Sequence, residues 1–398
     1  MNKSNFFTGQ PIFAQLLRFI PRDAIARIAY DDRSDRYCKR FNTYEHLITI
    51  LYAIFNNCNS LREVTTGMLA SEQRLAHLGV RYHPRRSTIS DANNRRQSDV
   101  FEKIYFAIYK KYSLFLSDSR SSGKSKLYII DSTTIQLLHD VLRTGGLTPA
   151  NGRCKGGIKV HTMIRSDQDV PNMIRLTSGV ANDSQFLKEV HLPKGSIIVF
   201  DRGYRDFATL TRFTTDGVTW ITRRSSLYAL TILEDIPGDD TCIISDQKII
   251  IGYKRKRNRV KARLIRYRDP DSGEIFEFFT NNVRMGALTI ATLYRKRWQI
   301  ELLFKRIKQN YPLKYFLGDS ENAIKIQIWC SLIADLILKI VKKGTTARWS
   351  FSNLAAMVRL HLMTYIDLFS FLKSPEKALS RLLPLNIKSS NNRLLFAT

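Results

Sequence analysis

Two runs of strand character, LYIID (127–131) and IIVFD (197–201), each close on an aspartate, Asp131 and Asp201. Four apolar residues in a row, all but Leu127 β-branched or aromatic, suit a strand buried on both faces. An ionisable residue just past such a run sits at a strand end, where chemistry is usually hosted. Either aspartate alone also reads as a turn or helix-cap residue. Their surroundings continue the strand pattern: KLYIIDSTTIQL, GIKVHTMIRS, VPNMIRLTSG and GSIIVFDRGY are bounded by Gly, Pro, Asn or Ser. A helical segment, DFATLTRFTTDG, and another strand, VTWITRR, follow. This succession predicts a mixed α/β domain.

That domain is interrupted and flanked. From about 226 to 283 the pattern stays strand-like, in YALTILEDIPG, TCIISDQKIIIGY, RVKARLIRYR and EIFEFFTNN, with turn signals PGDD and DPDSG between them. Helices are expected over 286–310, 320–342 and 350–363. The organisation predicted is therefore a helical region over 1–116, a Ser/Gly/Lys linker at 117–126 and a core over 125–225. A β-rich insertion (226–283), the rest of the core (284–345) and a helical C-terminal region (346–398) complete it. Within the first region YEHLITILYAIFNN (44–57) has helical spacing; Asn59 or Ser60 can cap the next helix, Gly79 can end the one after, and Ser87 can cap another. That last helix is led in by Arg85 and Arg86 and carries Asn93, Asn94, Arg95 and Arg96. It is the kind of surface that enters a DNA groove, so Arg95 and Arg96 are expected DNA contacts. A plain helical bundle touching only phosphates is the alternative.

Charge names the partner class. Lys and Arg outnumber Asp and Glu 63 to 35, for a net charge of +28 and a pI near 10. Such self-repulsion is relieved by a polyanion, and nucleic acid is the first expectation. A membrane is the weaker one, because Lys325, Gln327, Asp335 and Lys339 interrupt the longest apolar stretch, 323–341. The N-terminus shows no secretion signal. The five cysteines are dispersed without a Cys-x-x-Cys pair, which excludes a zinc ribbon and fits reduced thiols in the cytoplasm.

The segment YRKRWQIELLFKRIKQ (294–309) holds one acid, Glu301, among six cations. Read as a single helix, it places Tyr294 and Lys308 about 20° from the line of Glu301, and Arg297 about 40° from it. Leu293, Ile300, Phe304, Ile307 and Tyr311 form an adjacent apolar stripe, with Arg295, Gln299 and Arg306 facing outward at the back. An Arg297–Glu301 pair is also what an ordinary helix uses. Three acids converging in a basic protein would repel one another unless a cation neutralised them. Oxygen-only ligands favour Mg²⁺ or Mn²⁺. Asp131, Asp201 and Glu301 are thus the expected catalytic and metal-binding residues. Two ions there could activate the attacking oxygen and stabilise the leaving one in phosphoryl transfer on DNA.

At these residues the sequence resembles the DDE transposases of bacterial insertion sequences, in the large group called the insertion sequence four family. That family's third catalytic region reads Tyr, two residues, Arg, three residues, Glu, six residues, Lys; Tyr294, Arg297, Glu301 and Lys308 match it. IIDSTTIQL and VFDRGYRDF look like the first-Asp and second-Asp strands, and KGGIKVHTMIRS like the segment between them. FFTGQPIFAQLLRFIPR and SLREV resemble the helical leader of many such enzymes. The resemblance implies an RNase H-like core with a β-rich insertion between Asp201 and Glu301. It implies cleavage of transposon ends, a DNA hairpin intermediate and strand transfer to target DNA. Tyr294, Arg297 and Lys308 would then grip phosphates beside a flipped nucleotide, with Arg202 and Lys305 as further phosphate contacts. Double-stranded inverted-repeat ends and target DNA are the implied partners, and a homodimer the implied synaptic unit.

Some positions stay open. Some relatives use a Trp in the insertion to stack on the extruded base, but none of Trp220, Trp298, Trp329 and Trp349 lies deep in it, and Trp220 reads as core. Tyr228, Tyr253 or Phe276 are possible substitutes. Lys159 and His161 share one face of a strand and read as its polar face, with the active site as alternative. Asp183 reads as a turn or cap residue, with an extra acid near the metals as alternative. The run 253–268 alternates cations and apolar residues, suiting a basic strand face along DNA. A metal-dependent nuclease without strand transfer and an inactive DNA-binding derivative are the rival functions.

Overall fold

The computed structural model describes residues 9–118, 126–136, 157–179, 181–204, 206–226, 228–238, 240–253 and 259–380. The chain opens with α1 (Ile12–Leu17), α2 (Arg22–Asp31), α3 (Thr43–Phe55), α4 (Leu61–Ala70), α5 (Glu72–Leu78), α6 (Arg86–Arg95) and α7 (Ser98–Leu116). Local chemistry sets these boundaries. Asn42 and Glu45 form a capping box that starts α3, and Ser60 accepts the Glu63 N–H to start α4. Gly79 ends α5 at φ 78°, a left-handed conformation that costs glycine little. Arg85, not Ser87, precedes α6, and Ser87 lies inside its first turn. Most of the linker expected at 117–126 and everything beyond residue 380 lie outside the described residues.

The second zone runs β1 (Leu127–Gln136), β2 (Gly157–Arg165), β3 (Pro171–Ser178), α8 (Asp183–Glu189), β4 (Ile197–Phe200), α9 (Phe207–Thr215) and β5 (Thr219–Arg223). Then come β6 (Tyr228–Asp235), β7 (Ile243–Tyr253), β8 (Arg259–Arg268) and β9 (Ile275–Thr280). The chain continues with α10 (Ala287–Arg295), α11 (Trp298–Asn310), α12 (Glu321–Gly344), α13 (Phe351–Leu360), α14 (Leu368–Lys373) and α15 (Pro375–Ser380). The nine strands among the described residues join one sheet, ordered β3-β2-β1-β4-β5-β9-β8-β7-β6. β4 lies parallel to both β1 and β5, whereas β2, β3 and β6–β9 pair antiparallel with their neighbours. The strand-rich insertion therefore extends the core's own sheet through β9 against β5.

Strand alternation divides the core into two layers. Ile129 and Ile135 of β1 face one way, into a cluster with Ile300, Leu303 and Ile307 of α11 and the helices from both ends of the chain. Tyr128 and Ile130 face the other way, against Phe186 of α8 and Phe213 of α9. Helix α12 packs on α3, α7 and α11, so the N- and C-terminal helices cover one sheet face together. Among the described residues no helix is long and apolar enough to cross a membrane. Trp220 is fully buried, as a core residue should be, and its indole N–H donates to Thr214.

The segment 286–310 is not one helix. Lys296 and Arg297 donate to Leu293 and Tyr294, and Gln299 and Ile300 to Lys296 and Arg297, all at three-residue spacing. This tighter winding separates α10 from α11 and advances each residue about 120° rather than 100°. Tyr294 and Glu301 therefore lie on different helices, and their common stripe disappears.

Candidate active site

Parallel pairing of β1 with β4 ends at Ile130 opposite Phe200, so Asp131 and Asp201 emerge side by side where the pairing stops. β1 itself continues to Gln136, so Asp131 sits inside its strand rather than at the end the sequence suggested. Alternation puts Asp131 on the same face as Ile129, toward α11. The buried stripe Ile300, Leu303, Phe304 and Ile307 seats α11 on that face and leaves Glu301 half-buried at its edge.

One cation links two of the acids. Arg297 places Nη1 2.7 Å from Asp131 Oδ2 and Nη2 2.5 Å from Glu301 Oε1. The Tyr294 hydroxyl lies 3.5 Å from Asp201 Oδ1, and its ring packs against Phe278. Arg297 also stands 5.9 Å from the centre of that ring. Lys308 reaches β1, donating to Thr133 Oγ1 at 2.7 Å and to the Thr134 carbonyl at 3.1 Å. The structure thus gathers Tyr294, Arg297, Glu301 and Lys308 around the strand aspartates despite the helix break. Burial, resisted by the Ser132 N–H and Arg297 and reinforced by Asp201 and Glu301, pushes Asp131 up to about 6. Burial likewise raises Tyr294 and lowers Lys308.

A second cluster borders this one from the opposite sheet face. Asp183 Oδ1 accepts from Ser132 Oγ at 3.0 Å, pairs with Lys159 Nζ at 2.8 Å and lies 3.4 Å from His161 Nδ1. His161 is buried, stacked on Phe186, with Nε2 on Thr177. Lys159 and His161 are thus bound within the fold rather than forming a solvated strand face. Ser132 was not singled out in the sequence; its place directly after Asp131 is the only signal it carries.

Several expected DNA contacts are corrected. Arg96 is 1 % exposed, with its guanidinium on Asp35, the Thr43 hydroxyl and the Phe41 carbonyl. Neighbouring Asn93 is buried against His46. Both face the bundle because α6 turns that side inward with Ile89 and Ala92. Arg96→Ala is expected to lower stability by about 2–3 kcal/mol, by leaving the buried Phe41 carbonyl without its donor and Asp35 without its cation, while the salt dependence of DNA binding stays unchanged. Denaturant titration and binding at several salt concentrations read the two effects separately. Arg95 stays exposed and, with Lys39, Arg40 and Arg85, lines an open cleft beside α6. Arg202 and Lys305 are also exposed.

Arg306 does not face outward: it pairs with buried Asp335 and with Asp169. Arg263, in the expected basic face of β8, is 3 % exposed and paired with Asp246, while Arg259, Lys261 and Arg268 of that strand are exposed. Residues 254–258 of that basic run lie outside the described residues, as does the side chain of Tyr253. Tyr228 is buried, and Phe276 is half-buried with the Arg223 guanidinium over its ring.

The donor set is all carboxylate oxygen, which suits a hard divalent cation. The guanidinium already occupies a cation's place between Asp131 and Glu301. Among the described residues no three His, Cys, Asp or Glu side chains converge closely enough to hold an ion as they stand.

The family model described as the transposase DDE domain matches residues 122–336, more than half of the chain and the whole of the site. The chain belongs to the transposase DDE domain family. It is an enzyme, a DDE transposase, of a family that is generally metal-dependent. A second model, a domain of unknown function (DUF4372), matches residues 8–81, which run through α1–α5 of the transposase. It is 29 % identical over 266 residues to "Putative transposase y4zB" of Sinorhizobium fredii, spanning 65 % of this chain and 72 % of that one. To "Putative transposase for insertion sequence element IS4SA" of Synechocystis it is 26 % identical, over 65 % of this chain and 74 % of the relative. Among solved structures, a piggyBac transposase synaptic complex with hairpin DNA aligns at a TM-score of 0.43 and 12 % identity, over 96 % of this chain and 84 % of that one.

Proposed function

We propose that this transposase belongs to the insertion sequence four family and acts on the terminal inverted repeats of its element. In this reading the core is RNase H-like, and Asp131, Asp201 and Glu301 are the catalytic carboxylates. The observation that carries it is the meeting of Asp131, Asp201, Glu301, Tyr294 and Arg297 from β1, the end of β4, α10 and α11. When bound to these carboxylates, Mg²⁺ or Mn²⁺, as a pair of ions, would supply Lewis acidity for phosphoryl transfer. The chain's own groups do the rest. Arg297 offers a planar fork suited to bidentate phosphate contact, and Lys308 a point charge at the rim. Exposed Arg202, Lys305 and Arg95 add sequence-independent attraction for double-stranded DNA. Tyr294 braces Arg297 and the Asp201 side. Two ends held together require a dimer in the synaptic complex.

The test is incubation of a labelled inverted-repeat end with Mg²⁺, resolving nicked, hairpin and joined products. Hairpins followed by joining to target DNA are expected; cleavage without joining of a precleaved 3′-hydroxyl end would replace this reading with that of a nuclease. Arg297→Ala should lower hairpin yield by about 10²–10³-fold if it stabilises charge in the transition state.

The pH profile carries a separate expectation. Between pH 3.8 and about 6 the folded chain holds more protons at Asp131 than the unfolded one, so its contribution to metal-free stability falls as pH rises through that window. Cation binding needs the ionised form and runs the other way. At subsaturating Mg²⁺, cleavage should fall about tenfold per pH unit below 6. A rate flat from pH 7 to 5 would contradict the assignment of Asp131.

A further inference from the structure

The inference here rests on the carboxylate reading above and concerns what the site holds before a metal arrives. Arg297 joins two acids from separate elements: Asp131 of β1, 166 positions away, and Glu301 of α11, one turn on. Both terminal nitrogens are spent on these carboxylates. The third nitrogen, Nε, is buried and has no hydrogen-bond partner. The side chain is only 16 % exposed, so water screens these contacts weakly. Arg297 also sits at the junction of α10 and α11, where hydrogen bonds have three-residue spacing. Its backbone belongs to neither regular helix. Meanwhile no three acidic groups converge as an ion cage among the described residues.

We infer that Arg297 is the resident counter-cation of the metal-free site, and that a divalent ion binds productively only by displacing it from Asp131 and Glu301. Two carboxylates drawn together need positive charge between them, and the guanidinium supplies it until a stronger cation competes. Displacement leaves Arg297 charged, buried and without an anion, which is costly unless a new one is present. A DNA phosphate is that anion, and its oxygens match the freed fork and the unused Nε. Metal and DNA binding are therefore coupled, each favouring the state the other needs. The same residue guards the empty site and clamps the substrate in the filled one.

The experiment measures Mn²⁺ affinity of the full chain without DNA, by electron paramagnetic resonance of free Mn²⁺. If the guanidinium leaves the carboxylates in about one molecule in ten, Arg297→Gln should bind Mn²⁺ about tenfold more tightly than wild type. Lys296→Gln removes a neighbouring exposed charge that touches neither acid, and should change affinity by less than about twofold. Arg297→Lys keeps the charge but cannot bridge both acids; it should fall between, and it serves if the Gln variant does not fold. A duplex ending in the inverted repeat should tighten Mn²⁺ binding in wild type but not in Arg297→Gln. Unchanged or weaker binding in Arg297→Gln, or equal tightening in Lys296→Gln, would overturn the inference while leaving the carboxylate assignment intact. Mn²⁺ binding unaffected by both Asp131→Asn and Glu301→Gln would remove that assignment, and this inference with it.

Discussion

Asp131→Asn, Asp201→Asn and Glu301→Gln are each expected to lower cleavage of an inverted-repeat end by about 10³-fold or more, with the fold intact. The size follows from what each change removes. A neutral amide keeps the shape of the side chain but loses the charge that a hard cation needs. Asp131 and Asp201 emerge together where β1 and β4 cease to pair, and Glu301 approaches from α11. None can substitute for another, because each is delivered by a different element. On the proposed assignment the three act as one unit, so a double variant should be little worse than the poorer single one. Circular dichroism and thermal melting would establish that the variants are folded. A variant cutting at the wild-type rate would remove that residue from the site.

The second large effect is on stability and lies outside the reacting groups. Asp335→Ala is expected to cost about 3–5 kcal/mol, by leaving the Arg306 guanidinium in the interior with half its partners gone. Asp335 is 2 % exposed and takes Arg306 through Nε at 3.1 Å and Nη2 at 2.9 Å. Arg306 also reaches Asp169, in the β2–β3 connection, through Nη1 at 2.9 Å. Lys339 of α12 pairs with the same Asp169. This network ties α11 to α12 and to the sheet five residues beyond Glu301, so its loss should also loosen the helix that carries Glu301. Replacing both partners, as Asp335→Leu with Arg306→Met, should recover most of the lost stability, since an apolar pair of similar volume leaves no stranded charge. Urea denaturation measures both. A cost below about 1 kcal/mol for Asp335→Ala would mean that Arg306 finds solvent in the folded state.

Sequence patterning was informative where the physics is local. The strands expected at LYIID, IIVFD and through 226–283 all form, because β-branched runs closed by turn residues carry their own preference. Ser60 and Gly79 mark helix ends through contacts a few residues long. The acids at 131, 201 and 301, with Tyr294, Arg297 and Lys308, are the residues that the fold brings together. The single helix over 286–310 was legible only as apolar periodicity, which continues across a break of two residues without recording it. Asp183 was ambiguous for a similar reason. It begins α8 as a first-turn acid, yet its partners Ser132, Lys159 and His161 come from β1 and β2.

Composition and spacing alone establish a basic chain with an α/β pattern and single out three acids as candidates for metal-assisted chemistry. Only the tertiary structure decided what each cation does. Arg96, Arg263 and Arg306 looked like DNA contacts or outward surface, and all three are turned inward by Asp35, Asp246 and Asp335. A periodic pattern reports which face of an element a side chain occupies. It says nothing of the acid that another element will place opposite. Such an acid opposite holds Arg96, Arg263 and Arg306 inward, whereas Arg95, Arg202 and Arg268 stay exposed at the surface. Arg297 stands between the two cases: local spacing puts it one turn from Glu301, but only the fold adds Asp131 to its other hand.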